Sequence, residues 1–332
     1  MSSFFSFSVQ QRIKKGNLLL KLNKIIDWKR IEKKFKGLYK KDIEDKGGER
    51  PYDPVKMFKA ILLGQWYSLS DPGLEEALSL RLDFMMFTGF ELLEDCPDET
   101  TICRFRNRLI EKKLFKKLFN EINAQLENLG LKIKNAPGAV LDATIIESAA
   151  RPKRQIEIQD DRNEKEPIIK KIESKDPDSR WLKKRSKAHF GYKGFISVDS
   201  ENGYINKVLV TPANIAEVNQ LPALIKGDNN TRIYTDKGYT SKKNRDILKD
   251  NKLKDGIMYK AAKNKKLSRW EKVKNKLISK KRYIVEQAFG TLKRKFNFNR
   301  ASYMGNEKVE AQFYFKAICF NMLKGCKMVE LL

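Results

Sequence analysis

The chain has 332 residues, enough for two domains and a sizeable core, and its 69 Lys and Arg outweigh 42 Asp and Glu to give a formal net charge of +27. So large a surplus indicates a polyanionic partner, most simply nucleic acid. No run of about 20 apolar residues could span a membrane, and the 19 Phe and 11 Tyr argue against a small ribosomal-type basic protein. We therefore expect a cytoplasmic protein with no membrane partner.

Histidine and cysteine contribute little to the candidate chemistry. The chain has one histidine, His189, and four cysteines, none of them spaced like the C-x-x-C pair of a zinc site. We interpret the cysteines as buried apolar residues in a reducing compartment. Any catalytic site must then use carboxylates, which favour hard cations such as Mg²⁺ or Mn²⁺.

The N-terminal part of the chain has the apolar spacing of helices. A basic amphipathic helix is predicted over 20–42, and the sequence KGGERPYDP then interrupts the pattern. Further helix starts are indicated by capping residues that precede apolar stretches, at Asp53, Ser70 and Asp98. We expect a basic N-terminal helical segment over 1–45 and an all-helical domain over 46–130.

The pattern changes to alternating strands and helices after Gly138. AVLDATIIESA is typical of a strand buried on both faces, and HFGYKGFISVDSENGYINKVLVTPA indicates two strands joined by a turn at Asn202-Gly203. The order β-β-β-α-β-α-β-α over 136–332 predicts an α/β domain with the mixed sheet of a ribonuclease-H-like core. Residues 151–187 are predicted as a charged loop, and 263–276 as a basic connector.

Three acidic residues stand out by their context. Asp142 interrupts an apolar strand, where a carboxylate is costly unless it is paired or bound to a metal, and Asp236 ends another apolar strand. Glu286 lies on a later helix, with Arg282 one turn before it and Lys293 two turns after it. If the two strands are neighbours, the three acids converge where their carboxyl ends meet. Simpler interpretations are a buried structural acid for Asp142 and a turn residue for Asp236.

These residues lie in motifs that follow one another in a definite order. LDATIIESA contains Asp142, YTDKGYTS contains Asp236, and a Y-x2-R-x3-E-x6-K pattern falls on residues 279–293. Upstream are GERPYDPVKMFKAILLGQWYSLSDPGLEEALSLRLDFMMFTGF and CPDETTICRFRNRL. Together these motifs resemble the DDE-type transposases of bacterial insertion sequences, in the group named after insertion sequence five. Two departures are Ser279 at the tyrosine position and Ala216-Glu217 where many relatives have a His-Asp pair.

The resemblance implies an enzyme that cuts DNA at the terminal inverted repeats of an insertion sequence and transfers the freed strand into target DNA. It implies that Asp142, Asp236 and Glu286 are catalytic and bind two Mg²⁺ or Mn²⁺ ions. The expected partner is double-stranded DNA, as inverted repeats and as target, bound by a homodimer. The expected location is the bacterial cytoplasm, in association with the nucleoid.

DNA contacts are predicted for six residues: Arg282, Lys293, Arg294, Trp270, Arg104 and Arg106. The first two hold phosphate oxygens in this interpretation, and Trp270 stacks on an unpaired base. Arg104 and Arg106, in RFRNRL, help the helical domain to bind DNA ends and to dimerise. The alternatives are an ion pair of Arg282 with Glu286, a core position for Trp270, and a helical domain that only packs.

Other functions explain part of the sequence. A ribonuclease-H-like nuclease would cut DNA without joining it, and a domesticated derivative would bind DNA without catalysis. A basic RNA-binding structural protein would explain the charge but not the three acids. Inverted repeats beside the gene would favour the transposase.

Overall fold

The computed structural model describes residues 13, 16–39, 50–152, 156–159, 168–171, 174–262 and 265–329. The N-terminal part is helical, as predicted. Its helices are α1 (Leu18–Ile25), α2 (Trp28–Glu32), α3 (Pro54–Tyr67), α4 (Asp71–Leu80), α5 (Leu82–Thr88), α6 (Glu99–Glu111) and α7 (Leu114–Asn128). The helix predicted over 20–42 is divided into α1 and α2, because the side chain of Asp27 caps a new start. Part of the segment over 1–45 lies outside the described residues.

The capping residues identified in the sequence begin helices in the structure. The Asp53 side chain accepts hydrogen bonds from two backbone N–H groups of α3, and Ser70 and Asp98 each accept one, in α4 and α6. Each cap pairs a backbone donor that the helix itself leaves free. Local capping chemistry therefore sets where these three helices start.

The C-terminal part contains a mixed sheet and four helices. The helices are α8 (Leu221–Ile225), α9 (Lys242–Asp250), α10 (Arg269–Arg294) and α11 (Asn306–Val329). The strands are β1 (Gly138–Glu147), β2 (Ile156–Gln159), β3 (Ile168–Lys171), β4 (Arg180–Lys184), β5 (Lys187–Asp199), β6 (Ile205–Pro212), β7 (Arg232–Thr235) and β8 (Lys254–Ile257). β2 and β3 form a separate two-stranded ribbon.

The strand order confirms the predicted ribonuclease-H-like fold. β5 pairs antiparallel with β1 on one edge and with β4 and β6 on its other edge. β7 pairs parallel with the free edge of β1, and β8 pairs parallel with β7. An antiparallel meander continued by two parallel strands, with helices on both faces, is the arrangement that the sequence pattern predicted. The turn between β5 and β6 also lies at Asn202-Gly203, as expected.

Both faces of the sheet are covered. Val140 belongs to the apolar cluster that includes α10, α11 and the N-terminal helices, and its neighbour Leu141 belongs to a second cluster with α8 and α9. α11 is buried almost all round and packs against α3, α7 and β6. The predicted domains over 46–130 and 136–332 thus share one continuous hydrophobic cluster. None of the helices within the described ranges is long and apolar enough to cross a bilayer.

Two segments differ from the sequence prediction. The charged loop predicted over 151–187 contains the strands β2, β3 and β4, since β2 pairs with β3 and β4 pairs with β5 in antiparallel ladders. Of the basic connector predicted over 263–276, residues 269–276 are helical, and 263–264 lie outside the described residues. α10 begins at Arg269, since Ser268 and Glu271 form a capping box at its start.

Candidate active site

The parallel pairing of β1 and β7 brings together Asp142, in the middle of β1, and Asp236, which directly follows β7. The parallel pairing aligns Val140 with Tyr234. Two residues further along each strand, the same register places Asp142 level with Asp236 and returns to the same side of the sheet. The carboxylate of Asp236 contributes to raising the pKa of Asp142, as neighbouring like charges do. Two of the three predicted acids are therefore neighbours.

The side chain of Asp142 is largely buried, and its negative charge is only partly compensated by neighbouring groups. Its side chain is 17% exposed, and it accepts one hydrogen bond from the backbone N–H of Ala143 and one from Nη2 of Arg282, each at 2.8 Å. Burial is the largest influence and raises the pKa of Asp142 to about 6, although Arg282 lowers it. The carboxylate would therefore be stabilised by more positive charge than Arg282 supplies.

Arg282 reaches Asp142 from α10, the helix that packs against β1, β7 and β5. Its ion pair within the described chain is with Asp142 and not with Glu286, so the alternative of an i,i+4 pair is not found. The Nε atom of Arg282 is buried and, among the described groups, has no hydrogen-bond partner. Among the described groups, the Nε–H of Arg282 is therefore an unpaired hydrogen-bond donor.

Glu286 lies one turn beyond Arg282 on the exposed side of α10. The apolar stripe that anchors this helix is buried as the sequence predicted, at Val285, Ala288, Phe289, Leu292 and Phe296. In the part of the chain that the structure describes, no three His, Cys, Asp or Glu side chains lie close enough to share a metal ion. The convergence of Glu286 with Asp142 and Asp236 thus stays a prediction.

Lys193 and Glu217 belong to the same site but were not identified from the sequence. Lys193, buried on β5, donates to the carbonyl oxygen of Ile215 at 2.8 Å, and its Nζ lies 3.5 Å from Oε1 of Glu217. A Cβ at Gly238 would lie 2.7 Å from Oε2 of Glu217 and 3.0 Å from Oδ1 of Asp236. The carboxylates of Glu217 and Asp236 therefore flank Gly238, and a larger residue there would displace them.

Tyr239 also faces this group of acids. Its side chain is fully buried, and its hydroxyl group has no hydrogen-bond partner among the described residues. Burial, followed by the charges of Asp142, Glu217 and Asp236, raises the pKa of Tyr239 well above its usual value. A buried hydroxyl without a partner is costly, so its position beside three carboxylates is consistent with a role in binding.

The donor chemistry of this site fits a divalent cation. Asp142 and Asp236 present carboxylate oxygens from adjacent strands, and these are the ligands that Mg²⁺, Mn²⁺ and Ca²⁺ prefer. Adjacent carboxylates in a half-buried site repel each other, and a cation removes that repulsion. Burial is the main cause of the raised pKa of Asp142, and the charge of Asp236 contributes in the same direction.

The remaining residues predicted to bind DNA on α10 lie on the surface. Lys293 lies near Lys184 and Glu147, because the charges of both affect its pKa, which burial lowers. Arg294 lines a cleft of about 420 Å³ between α10 and α11. Trp270 is 57% exposed, and the Nζ of Lys274 lies 3.9 Å from the centre of its ring. Trp270 is therefore not a core residue.

The two arginines of RFRNRL have different environments. Arg104 is exposed on α6, where it can contact a ligand. Arg106 is 5% exposed, and its guanidinium makes two hydrogen bonds to Asp71, at 2.6 and 2.7 Å, above the ring of Tyr303. This geometry gives Arg106 a packing role in place of the predicted DNA contact.

Comparisons with known proteins identify the family. A family profile described as "Transposase DDE domain" matches residues 135–322, and one described as "Transposase domain (DUF772)" matches residues 7–108. The transposase for insertion sequence element IS1106 of Neisseria meningitidis serogroup B is 45% identical over 229 residues, which cover 68% of this chain and 78% of that protein. The solved piggyBac transposase synaptic complex with hairpin DNA matches with a TM-score of 0.47 and 12% identity, over 95% of this chain and 75% of that one. The chain therefore belongs to the DDE transposase family.

Proposed function

We propose that this transposase cuts DNA at the terminal inverted repeats of a bacterial insertion sequence and joins the freed 3′ ends to target DNA. The observation that carries the proposal is the parallel register of β1 and β7, which, continued by two residues, brings Asp142 level with Asp236 beside the carboxyl end of β7. Ligand sites in open α/β sheets lie at this position. The proposal deepens the family assignment by naming the residues and the DNA ends involved.

Asp142 and Asp236 would bind the cation, with Glu286 as a further ligand from α10. Two Mg²⁺ or Mn²⁺ ions at these carboxylates would stabilise the charge that develops on the attacking and leaving oxygens of the phosphodiester. Glu286 is suited to join them because its turn of α10 also carries Arg282, which already contacts Asp142.

Arg282 would change partner when substrate binds. It now compensates the charge of Asp142, and once a cation does so, its guanidinium is free to donate to a phosphate oxygen. The planar fork of arginine matches two oxygens of one phosphate, and the unpaired Nε supplies the additional donor. We assign Arg282 to binding the phosphate next to the cut.

Lys193 and Glu217 would position Asp236. Lys193 holds Glu217, and Glu217 packs against the Gly238 turn that begins with Asp236. The Asp236 side chain accepts a hydrogen bond from the N–H of Gly238, which keeps its carboxylate oriented. The Tyr239 hydroxyl, lacking a protein partner among the described residues, would donate to the bound phosphate.

The rest of the chain would handle the DNA ends. We propose that the helical domain over 46–130, with exposed Arg104, binds the inverted repeats, and that Lys293, Arg294 and Trp270 contact DNA around the site. Joining requires two ends at one target, so the active assembly would be a homodimer on DNA, associated with the nucleoid. Lysine and arginine contacts of this kind make binding strongly salt-dependent.

The test is a cleavage and joining assay with the full chain, Mg²⁺ or Mn²⁺, and duplexes that carry the element's ends. Wild type should release 3′ ends and join them to a second duplex. Asp236→Asn and Glu286→Gln should abolish both steps and leave binding intact, while Glu307→Gln, an exposed glutamate on α11, should behave as wild type.

Each other outcome removes part of the proposal. Cleavage without joining would identify a nuclease, and binding without cleavage by the wild type would identify a non-catalytic derivative. Cleavage by Glu286→Gln at the wild-type rate would remove Glu286 from the site.

A further inference from the structure

The hairpin of β4 and β5 extends beyond the rest of the sheet. β5 pairs with β1 only from Gly191 onward, whereas β4 pairs with the part of β5 before it. The backbone of Arg185, with φ of +56°, makes the tight turn between the two strands. We call residues 180–190 the basic ribbon. It projects past Glu147, the last residue of β1.

The basic ribbon is positively charged, and the sequence around it contains no acidic residue. Between Asp178 and Asp199 the chain has no acidic residue, and its basic residues there are Arg180, Lys183, Lys184, Arg185, Lys187 and Lys193. Lys184 and Lys187 lie directly opposite each other across the two strands. Like charges at opposed positions destabilise a strand pair, so this arrangement does not serve the fold.

A third lysine adds to this repulsion. Lys293, at the end of α10, has a pKa that burial lowers and that the charge of Lys184 lowers further, with Glu147 acting in the opposite direction. The ribbon and the end of α10 therefore form one basic surface. A polyanion placed on it would offset the repulsion among these lysines.

β5 connects this surface to the candidate active site. Lys193 lies beside Glu217 in the site, and side chains on one strand return to the same side every second residue. His189 and Lys187 therefore share the side of Lys193 in the extended part of β5. Lys187 is six residues from Lys193, or roughly 20 Å along the strand.

We propose that the basic ribbon binds the phosphate backbone of the duplex that is being cut, roughly six nucleotides from the scissile phosphate at the rise of about 3.4 Å per nucleotide. The inference rests on the proposed function, because the position of the cut fixes this distance. Lysine contacts to phosphate do not depend on base sequence, so the ribbon sets affinity and position rather than recognition of the repeat. On its other side Trp181 packs on Phe190, with ring centres 5.3 Å apart, which stiffens the two strands.

The first experiment compares two triple variants of the full chain. Arg180→Gln/Lys184→Gln/Lys187→Gln removes three exposed charges from the side of the ribbon that Lys193 shares, and Lys242→Gln/Lys243→Gln/Lys249→Gln removes three exposed charges from α9. The Kd for a duplex with the element's end is measured over a range of salt concentrations. The ribbon variant should lower the salt slope by about 0.9 for each phosphate that the ribbon no longer neutralises, hence by about 2 to 3, and should bind at least tenfold more weakly at low salt. Equal slopes for the two variants would overturn the proposal.

The second experiment locates the ribbon on the DNA. A photocrosslinking amino acid is placed at Ser186, in the exposed turn. It should label the duplex within about half a turn of DNA of the position roughly six nucleotides from the scissile phosphate. Labelling confined to positions more than about 12 nucleotides from the cut, or no labelling of a bound duplex, would overturn the inference. Failure of the proposed function is recognised separately, because the wild type would then bind DNA without cutting it.

Discussion

Two aspartates of the sheet, Asp199 and Asp142, differ in the hydrogen bonds that compensate their charge. Asp199, at the end of β5 and opposite the start of β1, is 0% exposed and accepts hydrogen bonds from four backbone N–H groups, of Glu201, Asn202, Gly203 and Tyr204. Asp142, in the middle of β1, accepts one backbone hydrogen bond and one from the side chain of Arg282 on α10.

The difference separates an acid whose charge the fold compensates from the acid that we propose to be functional. The donors to Asp199 belong to its own turn, so they form with the turn and leave no capacity for a ligand. The principal partner of Asp142 is the long side chain of Arg282, which comes from α10, so a cation could take its place. A carboxylate whose charge is incompletely compensated by the fold is a candidate position for ligand binding.

The largest effect that this comparison predicts is on catalysis. Asp142→Asn should lower the rate of DNA cleavage by at least about 1,000-fold, because a carboxylate that binds the cation contributes several kcal/mol to stabilising the transition state. Single-turnover cleavage of a duplex with the element's end measures the rate. Asp142→Asn should bind this duplex as the wild type does, and a residual rate within tenfold of wild type would contradict the assignment.

Asp199→Ala should instead destabilise the fold, by about 4 kcal/mol, because it leaves several buried N–H groups without an acceptor. Urea unfolding followed by circular dichroism gives the free energy of unfolding. The variant that remains folded should cleave DNA at close to the wild-type rate, since Asp199 lies away from the site. A change below about 1 kcal/mol would show that solvent replaces the carboxylate, and the contrast with Asp142 would then disappear.

The free energy of unfolding should depend on pH through the carboxyl group of Asp142. The pKa of Asp142 is raised from 3.8 to about 6, so the folded state binds its proton more tightly than the unfolded state does. The stabilisation is complete below pH 3.8 and is lost as the pH rises through about 6, for a total of about 3 kcal/mol. The wild type in a chelator should therefore lose stability relative to Asp142→Asn between pH 4 and 6. Parallel curves for the two proteins would contradict the raised pKa.

The sequence was sufficient to find the acids that break an apolar pattern. Asp142 and Asp236 interrupt or end strands whose other residues are buried, and the neighbouring strands then place them together. The same reasoning predicted the buried stripe of α10, because helical spacing fixes which residues share a face. It could not predict that Arg282 contacts Asp142 rather than Glu286, since that choice depends on how α10 lies across the sheet.

Other features had only a weak signal in the sequence. Lys193 interrupts an apolar strand as Asp142 does, and a buried lysine predicts an acidic partner, but nothing local identifies that partner as Glu217. β4 was predicted as part of a loop, because its charged side chains conceal the alternation that normally indicates a strand. The role of Arg106 depends on Asp71, which lies in a different helix, so its burial could not be foreseen from RFRNRL.

The smallest predicted effect concerns a residue that supports the site from outside the pair of aspartates. Glu217→Gln should lower cleavage about tenfold, or about 1.4 kcal/mol, because it removes the charge that Lys193 pairs with while the Gly238 turn remains. Glu201→Gln is the matched control, since Glu201 is an exposed acid paired with a lysine at the Asp199 end of the sheet. If Lys193 acts through Glu217, then Lys193→Met and Glu217→Gln combined should cost less than the sum of the single variants, as expected for contacting residues. Additive effects would show that the two residues act on Asp236 separately.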